Sequence, residues 1–435
     1  MKAKEIILLI LIVAVGIFFY HAQTGKIWID WEWDEGVYFG QEEFVYEETE
    51  EITPPFPLSL HILNAHGHVE VEGTDQESIS ILFEKRIFRR KQTQADELAE
   101  DLRMTIEKDG TNIQISTNRE DFRKRRFRTN FKLVIPEQMS VYVKNSYGEV
   151  RVSHAGETEI RNPNGRVFAE NIQGNLTIKN SYKDVEVENI HADCRIDSTN
   201  SSVTAISVEG SANIDHRYGK IHLENIGQSV TVDGSNAEVY GQNVSGLFDI
   251  RTSYKKVDLA DVGPVKIRAS NCRIEIKGAK DSVDIENKYG KLELFDIHGN
   301  LRIDGKNLEV YGHSIIGETI DISTSYRKVE LIDFQGKTEI THSNGDVGLE
   351  PLTLTHPIEV NGRYTDIKFY WHSGWSYPFE ARAKGGNIEW NVSEGLSQSF
   401  EEDNGYKVIK AFDTETDKPS ILLNTTYGSI RIEEY

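Results

Sequence analysis

Tyrosine and asparagine take turns at one position of a repeat that recurs about every 18 residues: Tyr147, Asn164, Tyr182, Asn200, Tyr218, Asn236, Tyr254, Asn271, Tyr289, Asn307, Tyr326 and Asn344, with Tyr364 as a looser continuation. Flat aromatic rings separated by amides are a common way for a protein to meet sugar rings, and a regular row of them suits a polymer. Coils stacked about 4.8 Å apart would space the tyrosines about 9.6 Å apart, two coils per ring. The same alternation also serves packing, because a large residue beside a small one lets a ring lie over the turn below and pins coil register. The residue pattern supports both roles.

A second candidate site is basic. Lys85-Arg86-Ile87-Phe88-Arg89-Arg90-Lys91 and the run from Arg119 to Arg128 stand out from an acidic chain. Arg86, Arg89, Arg90, Arg123, Arg125 and Arg126 form one anion patch if the fold brings the two runs together. Such a patch suits the phosphates of teichoic acid, lipopolysaccharide or lipid headgroups through charge-assisted hydrogen bonds. Its alternative role is to balance the neighbouring acidic segment and solvate two edge strands.

Other chemistry is sparse. His66 and His68 are two residues apart, but sequence places no third metal ligand beside them. No nucleophile elbow, zinc-ligand pair, phosphate loop or dinucleotide fingerprint appears. Carboxylates are too numerous to single out a glycosidic pair, and coils held near 18 residues leave no long loops to carry a catalytic cluster. The sequence reads as a non-enzyme without metal or cofactor.

The elements that would position these residues follow from the same repeat. Two or three residues after each tyrosine or asparagine an apolar residue opens a short strand, as at Val185, Val203, Ile221, Val239 and Val257. Half a period on, glycine recurs (Gly174, Gly210, Gly227, Gly246, Gly263), and is expected to turn the chain with positive φ. A second strand follows with apolar pairs such as Val283/Ile285 and Leu301/Ile303 around polar Asp284 and Arg302, so the pair faces in and the middle residue out. Turn, strand, turn and strand closing at this period predict an all-β fold, a parallel β-solenoid. One coil buries too little to offset the entropy of ordering itself, so only stacked coils fold.

Composition narrows the partners. Seventy Asp and Glu against 49 Lys and Arg give a formal charge of -21, which disfavours nucleic acid or an anionic membrane surface for the chain as a whole. Cys194 and Cys272 lie about four coils apart, roughly 19 Å, beyond the ~7 Å a disulfide tolerates, so two free thiols are expected.

Residues 1–22 hold an apolar run from Ile6 to Tyr20 preceded by Lys2 and Lys4, an N-terminal membrane helix or a signal segment. Bulky Tyr20 at the -3 position favours an uncleaved anchor, and the positive-inside rule puts the body outside the cytoplasm, in the periplasm or at the cell surface. Residues 23–55 read as an acidic aromatic tether. Residues 56–143 read as an N-terminal cap and first coil, with a short helix whose Thr93 and Asp96 form a capping box and whose Ala95, Leu98 and Leu102 share one face. A hairpin is expected around Asp109-Gly110. Residues 144–390 carry the repeats, and 391–435 a C-terminal loop and last coil. Phe369, Trp371, Trp375, Phe379 and Trp390 are expected to cover the final coils.

The order Phe56-Pro57-Leu58 to Val71-Glu72-Gly73, a strand from Ile79 to Phe83, a short helix, a hairpin, Phe131-Lys132-Leu133-Val134-Ile135-Pro136 and then Asn-Ser-Tyr-Gly units resembles the bacterial putative-adhesin domain family of unknown function with β-strand repeats. The resemblance spans roughly residues 56 to 435. It implies a membrane-anchored cell-envelope solenoid with no catalytic residues to carry over. Two functions fit: an adhesin or envelope scaffold that binds a cell-surface polysaccharide or an envelope protein along its side, and an accessory protein of an envelope stress or signalling system that uses the cap.

Overall fold

The computed structural model describes residues 41–122, 126–393, 397–412 and 418–435. The expected membrane segment 1–22, the tether up to residue 40, and Arg123 and Arg125 lie outside them. Among the described residues no helix is long and apolar enough to cross a membrane. The chain divides into two compact units, Met1–Arg166 and Val167–Tyr435.

The first unit holds strands β1 (Glu42–Ile52), β2 (Ser59–Leu63), β3 (Val69–Thr74) and β4 (Ile79–Arg89), helix α1 (Gln92–Asp101), then β5 (Met104–Lys108), β6 (Ile113–Thr117), β7 (Phe127–Pro136), β8 (Ser140–Lys144), β9 (Val150–Ser153) and β10 (Thr158–Asn162). β2 and β3 make the first coil. They pair in parallel with β8 and β9 of the next coil on one side and with β6 and β7 of the cap on the other. β4 and β1 extend the cap edge in antiparallel order. Helix α1 forms because Ala95, Leu98 and Ala99, with Leu102 just past its end, can bury against Ile87 and Phe127. It begins at Gln92, so Thr93 lies inside the first turn and no capping box forms. Asp96 instead accepts a 2.6 Å hydrogen bond from the Tyr46 hydroxyl.

The acidic segment is not only a tether, because from Glu42 it is strand β1. Its paired glutamates leave only Phe44 and Tyr46 as a short apolar face against the α1 cluster, which hides a strand from sequence, and it forms by pairing on the basic edge of β4. Glu43 reaches Arg86 at 3.2 Å, and Glu48 pairs with Lys85, whose buried ammonium also donates to the Ala99 carbonyl at 2.7 Å.

The second unit is the repeat array. Parallel strands pair in register from coil to coil: Ile196 opposite Ile214, Ile214 opposite Val232, and Val203 opposite Ile221, which itself faces Val239. The expected inward residues are almost without exception buried, and Cys194 and Cys272 are buried free thiols. Volume is shared within coils. Gly241 stands where other coils carry Leu223 or Leu259, and the Phe248 ring fills the space, since a Cβ on Gly241 would lie 2.2 Å from it.

Two expectations are corrected here. The half-period glycines take no positive φ at Gly210, Gly227, Gly246 or Gly263. They are required by close approach instead, a Cβ on Gly227 falling 2.4 Å from the Glu209 carbonyl oxygen. The segment 391–435 contains the expected coil, but that coil is not last in the stack, and a hairpin precedes it. Ser397–Asp403 and Tyr406–Phe412 form a hairpin that pairs antiparallel with Phe379–Lys384. Ile421–Thr426 and Ile430–Glu434 then slot between Ile358–Trp371 and the strands Phe379–Lys384 and Ile388–Asn391. Phe369, Trp371 and Phe379 are buried, with Trp390 against the Trp371 and Phe379 rings.

Candidate functional site

The tyrosine–asparagine position is a corner of each coil, and its backbone explains the asparagines. Asn200, Asn236, Asn271, Asn307 and Asn344 sit at φ of 52–60°, the left-handed region that asparagine tolerates better than other side chains. Tyr218, Tyr254, Tyr326, Tyr364 and Tyr427 occupy the same region at φ 53–69°. At Tyr147 and Tyr289 the following residue, Gly148 or Gly290, has the positive φ instead.

Several corners are braced from beneath, though not those preceded two places earlier by Gly234, Ala269, Gly305 or Gly362. At the braced ones the residue two places before the corner points inward, and its side chain donates to the carbonyl one place past the corner of the neighbouring coil. Asn145 reaches the Gly67 oxygen at 2.9 Å, Asn162 that of Gly148 at 2.8 Å, Asn287 that of Cys272 at 2.9 Å and Thr425 that of Thr365 at 2.7 Å. Thr252 and Thr324 do the same at 3.3 and 3.4 Å. His216 and His342 hold this place in their coils. Both rings are buried with neither nitrogen in good hydrogen-bonding geometry. Burial holds their pKa below the ordinary histidine value, against a weaker opposite pull from nearby carbonyls, among them Ser201 and Arg327, and from Asp215 and Asp346.

The corner tyrosines face outward. Tyr147, Tyr182, Tyr218, Tyr254, Tyr289, Tyr326, Tyr364 and Tyr427 are 44% to 63% exposed. In the second unit Asn corners separate the rings from Tyr182 to Tyr364, so successive rings stand about 9.6 Å apart, two strand spacings. In the first unit the His66 ring stacks on Tyr147 at 4.6 Å and 1° from parallel.

The sequence reading missed a second left-handed corner. Asn171, Asn189, Ser207, Asn225, Asn243, Asp261, Asp296, Ser314 and Asp333 all have φ near 55°, each just before an inward apolar residue. Asn189 donates to Asn171 at 3.2 Å and Asn243 to Asn225 at 3.0 Å. The signal was there as Asn, Ser or Asp before Ile, Val or Phe, a few residues ahead of each glycine. The more visible glycine drew the turn to itself.

The basic runs are brought together in part. Arg86 on β4 faces Arg128 on β7, and Arg89 donates to the Arg126 carbonyl at 3.1 Å. Arg86 is tied to Glu84 at 2.6 Å as well as to Glu43, whereas Arg90 is exposed. Among the described residues no cluster of His, Cys, Asp or Glu could hold a metal ion, His66 and His68 included.

Residues 59–238 match the family model described as Toastrack DUF4097. Among solved structures, the chain is similar to a putative cell adhesion protein from Clostridium sporogenes ATCC 15579, with 10% identity over 90% of this chain and 100% of that one and a TM-score of 0.20. It is also similar to a putative adhesin from Bacteroides fragilis NCTC 9343, with 11% identity over 61% of this chain and 97% of that one and a TM-score of 0.25. No curated protein matches.

Proposed function

We propose that this chain is a non-enzymatic adhesin or envelope scaffold, held outside the cytoplasm by its N-terminal apolar run, that binds a cell-surface polysaccharide along the tyrosine corners of its second unit. The observation that carries the reading is the cost of those corners. A bulky residue in the left-handed region costs roughly 1–2 kcal/mol relative to the ordinary backbone conformations, and asparagine, used by the intervening coils, relieves much of it. Tyr218, Tyr254 and Tyr326 accept that cost with their rings exposed rather than packed. Strain repeated at one place and not repaid by packing points to a surface role.

The test is a glycan array probed with the full chain in detergent, beside a variant carrying Tyr218→Asn, Tyr254→Asn and Tyr326→Asn. Binding by the parent that the variant loses supports the reading. An array with no polysaccharide bound ends it.

A further inference from the structure

We infer that the polysaccharide is acidic, with one anionic group per two sugar rings. The inference rests on the tyrosine-row reading and adds the class of ligand. Its basis is a charge pattern with the same two-coil period as the rings. Every corner tyrosine from Tyr182 to Tyr364 has a cation beside it in the chain: Lys183, Arg217, Lys255, Lys288, Arg327 and Arg363. Among the five asparagine corners between them only Asn307 does, through Lys306. The corner residue and its two neighbours include no Asp or Glu in any of these coils, on a chain of formal charge -21.

These cations differ from others one to three places further along. Lys256 pairs with Asp258 at 2.6 Å and Glu275 at 3.1 Å, Lys291 with Glu293 at 3.1 Å and Glu309 at 3.3 Å, and Lys328 with Glu330 at 2.7 Å. The strand beside the corners thus satisfies its charges internally. At the corners Arg217, Lys255, Lys288 and Arg327 are exposed, with no ion pair to any described residue. Arg363 lies 5.4 Å from the Tyr364 ring centroid, so ring and guanidinium present one surface. From Tyr218 to Tyr326 a ring for a sugar face and an unpaired cation for a carboxylate recur together about every 9.6 Å, near the length of two sugar rings. A linear polymer with a uronate in each disaccharide repeats both features in step.

The test measures binding of the full chain to hyaluronan, which carries a carboxylate on alternate rings, to a neutral β-glucan and to poly(glycerol phosphate). The variant is Lys255→Ser with Lys288→Ser and Arg327→Ser, serine being what several other coils carry beside the corner, and thermal unfolding checks that it folds. The expected result is hyaluronan binding that weakens with salt and falls by about tenfold or more in the variant, because linked sites are lost together. Equal binding to the neutral glucan with no effect of the variant overturns the charge assignment and leaves the tyrosine row standing. Preference for poly(glycerol phosphate) overturns the sugar assignment. Binding to none of the three overturns both this inference and the reading beneath it.

Discussion

The rings of Tyr364 and Tyr427 lie face to face, 5.0 Å between centroids and 17° from parallel. They meet because Ile421–Thr426 pairs directly with the strand that carries Tyr364, so no asparagine coil intervenes. This is what two adjacent aromatic corners do: they cover one another. His66 and Tyr147 do the same at the other aromatic pair. From Tyr182 to Tyr326 each asparagine corner prevents that contact, and the rings stay exposed.

The first prediction separates surface from packing. Tyr218→Asn, Tyr254→Asn and Tyr326→Asn should each leave stability unchanged or raise it by up to about 1 kcal/mol, since asparagine accepts the left-handed region more readily. The urea midpoint of each variant measures this. A loss above about 1 kcal/mol per site would mean that the rings hold the coils together.

The second prediction concerns the corner that sequence reasoning overlooked. Asn225 has φ 57° and accepts a hydrogen bond from Asn243. Asn225→Val should cost about 2 kcal/mol, from a β-branched residue at positive φ and the lost hydrogen bond, whereas Asn225→Gly should cost well under half of that. Similar losses from both, in chemical denaturation, would remove the backbone explanation.

A third prediction tests the inward register. Ile303 is 1% exposed, while Arg302 beside it faces solvent. Ile303→Asp should destabilise by about 3 kcal/mol or more by burying a charge without a partner, and Arg302→Ala should stay within about 0.5 kcal/mol. Equal shifts in urea unfolding would contradict the alternation.

The coil period, the inward pairs and the corner position were legible because alternation and asparagine leave marks in a single sequence. Strand β1 was not, since from Glu42 to Glu51 only Phe44 and Tyr46 face the core and its reason to be a strand lies in β4. Nor was the placement of Ile421–Glu434 between earlier strands, because one coil's apolar pattern resembles another's and pairing order is a long-range property. The brace beneath many of the corners also escaped notice. Asn162, Thr252 and Asn287 look like ordinary polar residues until the neighbouring carbonyl is in place.

The last prediction turns on two histidines that stand at the brace position. His216 and His342 titrate near 6.5 in the unfolded chain, but burial lowers their pKa in the fold, with Asp215 and Asp346 opposing weakly. Between the two values the unfolded chain binds protons that the folded one refuses, so unfolding is favoured there. Their contribution to stability is therefore fully present above about pH 6.5, declines as pH falls toward the folded values, and levels off below them. His216→Asn with His342→Asn places in both coils the residue that Asn162 and Asn287 provide in theirs, and asparagine does not titrate. Urea midpoints of the parent and the double variant, followed from pH 7.5 to pH 5, should diverge on acidification, with the variant losing less. Parallel curves would show that neither ring is driven to ionise by unfolding, and the buried histidines would then be neutral spacers in the brace column.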